Sequence, residues 1–410
     1  MEAVRLFRSL TRDQRNTFIA CFLGWTLDAF DFFLLTLVLV PVASEFGRSI
    51  PEVSFAVTLT LLFRPVGAFI FGLLGDKFGR RIPLMIDIIF YSMMELATAS
   101  APDFTVFLIF RALFGIGMGG EWGLGASLAM ESLPTQARGL FSGILQQGYA
   151  CGFLLAALVY WIIFPIFGWR GLFIVGALPA LLVIYVRARV PESPVWERHR
   201  SERKEIPFSL WKFVQKHVVL FVYAVLLMTA FNYMSHGTQD LYPTFLETQR
   251  GFNVGQRSAV MMVYALGAIC GGAVVGFLSQ SWGRRRCIIL AATCGILLIP
   301  AWILSPSTIL LILGGFLMQF MVQGAWGVVP VHLNELSPPE ARGTFPGFAY
   351  QLGNALAAFA LQQQASLAEH FRTPNGQPNY ALTMALVEGV VFLVIIVLAL
   401  IGREEHGREF

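Results

Sequence analysis

Charge is what this chain has little of. Asp, Glu, Lys and Arg make up 13% of its 410 residues, against roughly 25% in soluble domains. With 56% hydrophobic residues and a mean hydropathy of +0.67, that deficit excludes an ordinary soluble domain and points to a membrane protein. Cysteine is scarce too. Cys21, Cys151, Cys270, Cys287 and Cys294 lie in or beside apolar runs, so free thiols are expected, not a disulfide framework. There is no Cys/His spacing for a metal and no nucleophile–base set for an enzyme. No catalytic residue, metal ligand or bound cofactor is therefore expected. Met1 to Arg15 is polar and basic and the apolar run after it is long, which excludes the short core of a cleavable leader.

What is abundant is apolar length. The chain accommodates twelve runs of about 20 residues, the span of a bilayer-crossing helix. They are expected near 18–44, 53–75, 82–101, 104–130, 139–163, 168–188, 217–246, 254–280, 286–304, 308–335, 342–368 and 380–402. The net charge of +4 says little, but the placement of its 29 basic residues says much. Twenty-two fall on the side of the N-terminus. Five (Arg48, Arg170, Arg250, Arg257 and Arg372) fall on the other, and two, Arg64 and Arg111, fall inside spans. The excess of Lys and Arg on cytoplasmic loops puts both termini in the cytoplasm. The basic stretch from Arg187 to Lys216 reads as a solvated loop near anionic lipid heads, not as a nucleic-acid site.

The chain repeats itself. Gly120-Glu121-Trp122-Gly123 and Glu131 to Gly139 match Gly324-Ala325-Trp326-Gly327 and Glu335 to Gly343, at an offset of 204. The same offset carries Gly72, Gly79, Arg80 and Arg81 onto Gly276, Gly283, Arg284 and Arg285. Two six-span halves in the same orientation follow, 1–189 and 217–410, joined by a linker at 190–216. Parallel repeats about an axis along the membrane normal suit a transporter with its site between them. The halves differ instructively. Asp28, Arg64, Asp76, Arg111 and Glu121 fall on Asn232, Ala268, Gln280, Gly315 and Ala325, whereas His236 and Asp240 fall on Phe32 and Thr36. Intramembrane charge belongs to the first half, and a polar cluster to span 7 of the second.

Polar groups inside spans must face protein or water. On span 7, Asn232, Ser235, His236 and Gln239 share one helical face, with Asp240 at its edge. Five polar groups on one arc favour a lined cavity over a simple helix–helix contact. Asp28 and Asp31 stand at i and i+3 on span 1. Mutual repulsion and poor hydration there suit proton carriage, although the pair could equally neutralise Arg64 and Arg111 in a static network. Glu121 is a third candidate carrier. Asp87, Glu95, Glu131 and Glu388 lie nearer span ends and read as structural. Arg64, mid-span, offers a planar fork for a carboxylate, or a permanent partner for span 1.

Gly72-Leu73-Leu74-Gly75-Asp76-Lys77-Phe78-Gly79-Arg80-Arg81, between spans 2 and 3, resembles the loop signature of the major facilitator superfamily, as does Arg111 to Gly120 on span 4. The expected fold is thus all-α and integral to the membrane, with twelve transmembrane helices in two pseudo-symmetric six-helix bundles. Gly72, Asp76, Gly79, Arg80, Arg81 and Arg111 are expected to gate or brace. Gln280 should weaken the second copy of the latch. On span 7 the pattern Asn232-x-x-Ser235-His236-x-Thr238-Gln239-Asp240-x-x-x-Thr244 resembles the lactate/pyruvate:proton symporters related to the yeast lactate permease, within the sialate:proton symporter family. Asp28-x-x-Asp31-Phe32 and Arg64 resemble that family too.

The resemblance implies a symporter in the inner membrane that moves a short monocarboxylate with a proton. Arg64 would hold the carboxylate. Asn232, His236 and Gln239 would bind it or the 2-oxygen, and Asp28, Asp31, Glu121 or Asp240 would handle the proton. The partners are then a small organic acid anion, a proton and the lipid bilayer, with the monomer as working unit. Uptake of a sialic or aromatic acid by the same fold is the alternative. A non-transporting sensor would be expected to add a long soluble tail, and none follows Gly402.

Overall fold

A computed structural model of the chain describes residues 2–48, 50–202, 210–342 and 344–407. Of the residues invoked above, Met1 and Gly343 lie outside these ranges, as do Arg203, Lys204 and Arg408, three of the basic residues counted on the side of the N-terminus. So do the side chains of Arg5, Thr36, Lys212, Thr244 and Arg257. Among the described residues there is no strand, only an isolated bridge between Arg372 and Pro378. Among the described residues, ten helices are long and apolar enough to cross a membrane. An eleventh crossing is a bent pair, Ile162–Val175 with Leu178–Arg189, at 44°. Span 11 is occupied by two shorter helices, Phe345–Ala357 and Ala360–His370. Large apolar side chains such as Val219, Leu297 and Ile309 stand exposed around the outside, as a surface solvated by hydrocarbon requires.

The sequence places breaks less well than spans. After a short helix at Glu2–Ser9, span 1 runs Arg12–Leu37, and a new helix, Leu39–Phe46, starts after Val38 leaves helical geometry. Between spans 5 and 6 the connection is short: Gly168, with φ 62°, breaks the run Gly148–Val175 into two helices, close to the expected boundary. Such a conformation is open to glycine at little steric cost.

The internal repeat reappears in the helix ends. Spans 2 and 8 are Ile50–Phe78 and Val254–Trp282; spans 4 and 10 are Phe104–Ser132 and Thr308–Leu336. All four boundaries differ by the same 204. The caps repeat as well, with Asp103 accepting from the Val106 N–H and Ser307 from the Leu310 N–H. So do buried ion pairs, Arg80–Glu131 at 3.1 Å and Arg284–Glu335 at 3.0 Å.

The halves meet tightly toward the face that carries the termini. Gly72 and Asp76 of span 2 sit against Thr344. Gly143 of span 5 (Arg138–Gln146 and the start of Gly148–Val175) lies against the Gly272 backbone of span 8. Ser142 donates to the Gly327 carbonyl at 2.8 Å and accepts from the Val331 N–H at 3.1 Å. Ser127 donates to the Arg342 carbonyl at 2.9 Å. Glycine is needed along this seam because a side chain would drive the backbones apart.

Candidate functional site

Three layers of buried polar groups run through the first half. Nearest the face opposite the termini, Arg111 of span 4 pairs with Glu95 of span 3 and donates to Thr98 Oγ1 at 2.9 Å. Its guanidinium also lies 4.2 Å from the Phe114 ring centroid and 5.0 Å from that of Phe173. Asp31 is buried beside this pair, with neither carboxyl oxygen hydrogen-bonded among the described residues. In the middle layer, Arg64 Nη2 donates to Asp28 Oδ2 at 3.1 Å. Both side chains are almost wholly buried, yet Arg64 Nε and Asp28 Oδ1 have no partner among the described residues. In the third layer, Glu121 lies against Gly24 of span 1, again with both oxygens unpaired.

Arg64 looks toward the second half. Its charge acts on Tyr149 of span 5 and, in the second half, on Tyr350 of span 11 and His236 of span 7. Beneath it the aromatic rings of Trp122 and Tyr350 meet across the seam at 4.5 Å, with Trp326 against Tyr350 at 5.5 Å. These rings close the floor between the halves on the side of the termini. His236 Nδ1 is 3.1 Å from Asp240 Oδ2, and their side chains are 26% and 33% accessible. Asn354 of span 11 stands beside the same imidazole.

The polar arc of span 7 is therefore divided. His236 and Asp240 open toward the space between the halves. Asn232 is buried, and its amide donates to the Met228 carbonyl one turn back at 2.8 Å. Gln239 turns to its own half and donates to Gln319 of span 10 at 3.0 Å. Gln319 in turn donates to Thr238 Oγ1 at 3.1 Å. Asp28 and Asp31, expected side by side, have different neighbours: Asp28 meets Arg64, and Asp31 the Glu95–Arg111 pair.

The loop motif ties the two halves together at the face of the termini. Asp76 Oδ2 accepts from the Thr344 N–H at 3.0 Å and from its hydroxyl at 2.7 Å, across the seam. Arg80 donates to the Gly75 carbonyl at 2.7 Å and to Glu131 at 3.1 Å, and lies 3.2 Å from Asp76. Arg81 donates to the Arg187 carbonyl at 2.6 Å. In the second copy Gln280 still crosses the seam, accepting from the Gly139 N–H at 3.0 Å. One bond to a neutral amide replaces two to a carboxylate, and charge-assisted bonds are the stronger kind.

Several residues here escaped the sequence. Glu192, inside the linker, accepts from the backbone N–H groups of Arg80 at 2.8 Å, Arg81 at 3.2 Å and Ser193 at 2.8 Å. It caps span 3 from 111 residues away, where the helix dipole favours a carboxylate. Burial nevertheless pushes its carboxyl above the ordinary range. Glu404 caps span 9 in the same way through Arg284 and Arg285. Tyr149, Tyr350, Asn354 and Gln319 were missed as well. The repeat offered one usable hint, since Gln147 and Gln351 are 204 apart beside two of them. Asp87, set aside as a span-end group, is wholly buried and forms no hydrogen bond among the described residues.

Comparison with known proteins agrees with this architecture. The family described as Major Facilitator Superfamily matches residues 21–361. A carboxylic acid transporter protein homolog of Saccharomyces cerevisiae is 32% identical, over 98% of this chain and 70% of its own length. A probable 4-methylmuconolactone transporter of Cupriavidus pinatubonensis is 30% identical, over 92% and 89%. The sialic acid transporter NanX of Escherichia coli is 27% identical, over 100% and 98%. Among solved structures, the proton:xylose symporter XylE superposes with a TM-score of 0.79 at 19% identity, over 97% of both chains. At that identity the likeness speaks for the fold alone.

Proposed function

Since the chain belongs to the major facilitator superfamily, we propose that it takes up lactate, pyruvate or a similar short monocarboxylate together with a proton, by alternating access. It is a transporter and not an enzyme. The observation that carries the substrate reading is Arg64. Its buried guanidinium spends one N–H on Asp28 and leaves Nε without an acceptor among the described residues. A short carboxylate fits that fork, and the names of the yeast and NanX relatives, both carriers of acids, support the same chemistry.

Proton coupling follows from the same pair. Ionised Asp28 competes with the substrate for Arg64. A proton on Asp28 dissolves the ion pair and frees the guanidinium for the incoming anion, so anion and proton enter together. His236 and Asn232 would meet the carboxylate or the 2-oxygen from span 7, with Gln239 reaching them only by exchanging its bond to Gln319. Besides Asp76 and Glu131 of the loop network, five buried carboxyl groups (Asp28, Asp31, Asp87, Glu95 and Glu121) share the first half with the two mid-span arginines, Arg64 and Arg111. Isolated buried charge is so unfavourable that surplus carboxyls hold protons instead.

The excess of basic residues on one side supports termini, and a closed seam, that face the cytoplasm; an inner membrane and a monomeric working unit belong to the same reading. The arrangement is then outward-facing. Asp76, Thr344, Gly139 and Gln280 keep the inner gate shut, and the loaded halves rock about the floor of Trp122, Tyr350 and Trp326. A sialic or aromatic acid is the second reading, favoured by the full-length match to NanX. Uptake of labelled lactate into proteoliposomes, with and without an inward pH gradient and with unlabelled pyruvate, sialate and benzoate as competitors, tests the proposal. Gradient-driven uptake blocked by pyruvate alone is expected. Block by sialate or benzoate but not by pyruvate would transfer the site to the second reading.

A further inference from the structure

Asp87 lies on span 3, the helix Arg81–Ala99, six residues from its start at the face of the termini. Six residues of helix rise about 9 Å. Its carboxyl is wholly buried, and neither oxygen has a hydrogen-bond partner among the described residues. A carboxylate that braces a fold is expected to hold an arginine or a helix N-terminus, as Glu95, Glu131 and Glu192 do here. Asp87 holds neither. Span 3 packs on span 4 with Tyr91 against Gly117. Asp87 and Glu121, each one turn nearer the termini on these antiparallel helices, therefore stand at a similar depth. The charges that act on Asp87 are those of Glu121 and, from span 1, Asp28. Glu121 and the Tyr91 hydroxyl are likewise buried and unpaired. Arg64 of span 2 acts on Asp28 and Glu121. Of the cations on the spans 5–6 helices packed against span 3, Arg170 is held by Glu45, and Arg187 and Arg189 lie in the last turn of Leu182–Arg189, at the face of the termini.

These groups form a descent. Asp28 is the upper step, beside Arg64. Gly24, one turn of span 1 nearer the termini, is where Glu121 rests. Asp87 stands level with Glu121, and beyond it lies the short remainder of span 3 and the loop network of Arg80, Asp76 and Glu131. The second half has no counterpart, since Ala291 and Ala325 stand at the positions equivalent to Asp87 and Glu121.

We propose that Asp87 is the proton's exit residue: the proton leaves Asp28 through Glu121 to Asp87 inside the first bundle, apart from the seam through which the substrate leaves. At each step one carboxylic O–H breaks and an O–H forms on the neighbouring carboxylate, with no other bond changed. The inference rests on the symport reading above but locates a path that reading does not require. A separate path lets the transporter discharge its proton without exposing Arg64 to the cell interior at the same moment.

The test uses purified full-length protein, with Asp87→Asn beside the parent and Asp87→Glu as the conservative rescue. In proteoliposomes, Asp87→Asn should lose accumulation driven by the pH gradient at least tenfold. It should keep lactate binding, exchange of inside for outside lactate, and the parent's melting temperature. Asp87→Glu should restore part of the accumulation. Infrared difference spectra after a pH step should lose a carboxylic C=O band in Asp87→Asn. Accumulation equal to the parent's would overturn the proposal. So would joint loss of binding, exchange and thermal stability that Asp87→Glu repairs, because that pattern marks a brace. If the parent itself moves no lactate, the substrate reading fails on its own, and the infrared band decides: its loss in Asp87→Asn upholds Asp87 as a titrating carrier, and its persistence refutes it.

Discussion

Replacing Asp28 by Asn probes the switch directly, because it fixes the side chain in an imitation of its protonated form. Arg64 and Asp28 are joined by one 3.1 Å charge-assisted bond with almost no solvent access. A hydrogen bond of that kind contributes about 1.5–3 kcal/mol. In the parent at alkaline pH, a carboxylate substrate must displace ionised Asp28 and forfeits that amount. With tenfold in affinity for each ~1.4 kcal/mol, parent binding of lactate should weaken by roughly 10- to 100-fold from acidic to alkaline pH. Asp28→Asn should bind with nearly the same affinity throughout, close to the parent's acidic value. The variant leaves Arg64 without its counter-charge, and breaking a buried pair costs about 3–5 kcal/mol, so its melting temperature should fall and lactate should restore part of it. Calorimetric titration across the pH range, with a melting curve at each point, reads both effects. A variant with the parent's full pH slope would remove Asp28 from the coupling. Loss of binding at every pH would mean that Asp28 only positions Arg64.

Arg64→Lys keeps the charge but loses the planar fork, so lactate affinity should fall roughly 10- to 100-fold through one lost charge-assisted bond; equal affinity by the same calorimetry would misplace the carboxylate site. Gly143→Val puts a branched side chain into the Gly272 backbone. Overpacking of that kind costs about 1–3 kcal/mol, so the inner gate should open and outside binding should drop by roughly 5- to 100-fold, read as labelling of a single cysteine placed in the seam. Unchanged labelling would mean that the halves do not part there.

Much of this molecule can be read from its sequence, and the limits have physical causes. The apolar runs reveal the spans because a bilayer dictates their length. The offset of 204 between Gly72 and Gly276 reaches the ends of spans 2, 4, 8 and 10, since each half solves the same packing problem. Asp76 and Arg80 were legible because they belong to a compact loop motif, although their partners Thr344 and Glu131 lie far along the chain. Glu192 was not, as a cap that closes across more than a hundred residues leaves no local pattern. The face of Asp87 was not legible for a different reason. In a membrane the lipid side of a helix is as apolar as its packed side, so periodicity does not tell where a lone carboxyl points. The turn of Gln239 toward Gln319, away from its arc-mates His236 and Asp240, depends on the roll of span 7 against span 10. Helical spacing groups these residues but does not fix that roll.

Lumenal pH provides the most direct test of coupled uptake. Proteoliposomes loaded with a pH-sensitive dye, at equal pH inside and out, are given an inward lactate gradient. The parent should acidify the lumen in step with labelled lactate entry, beyond protein-free vesicles and beyond vesicles carrying Arg64→Lys. Protein-dependent lactate entry with no added acidification would contradict proton symport.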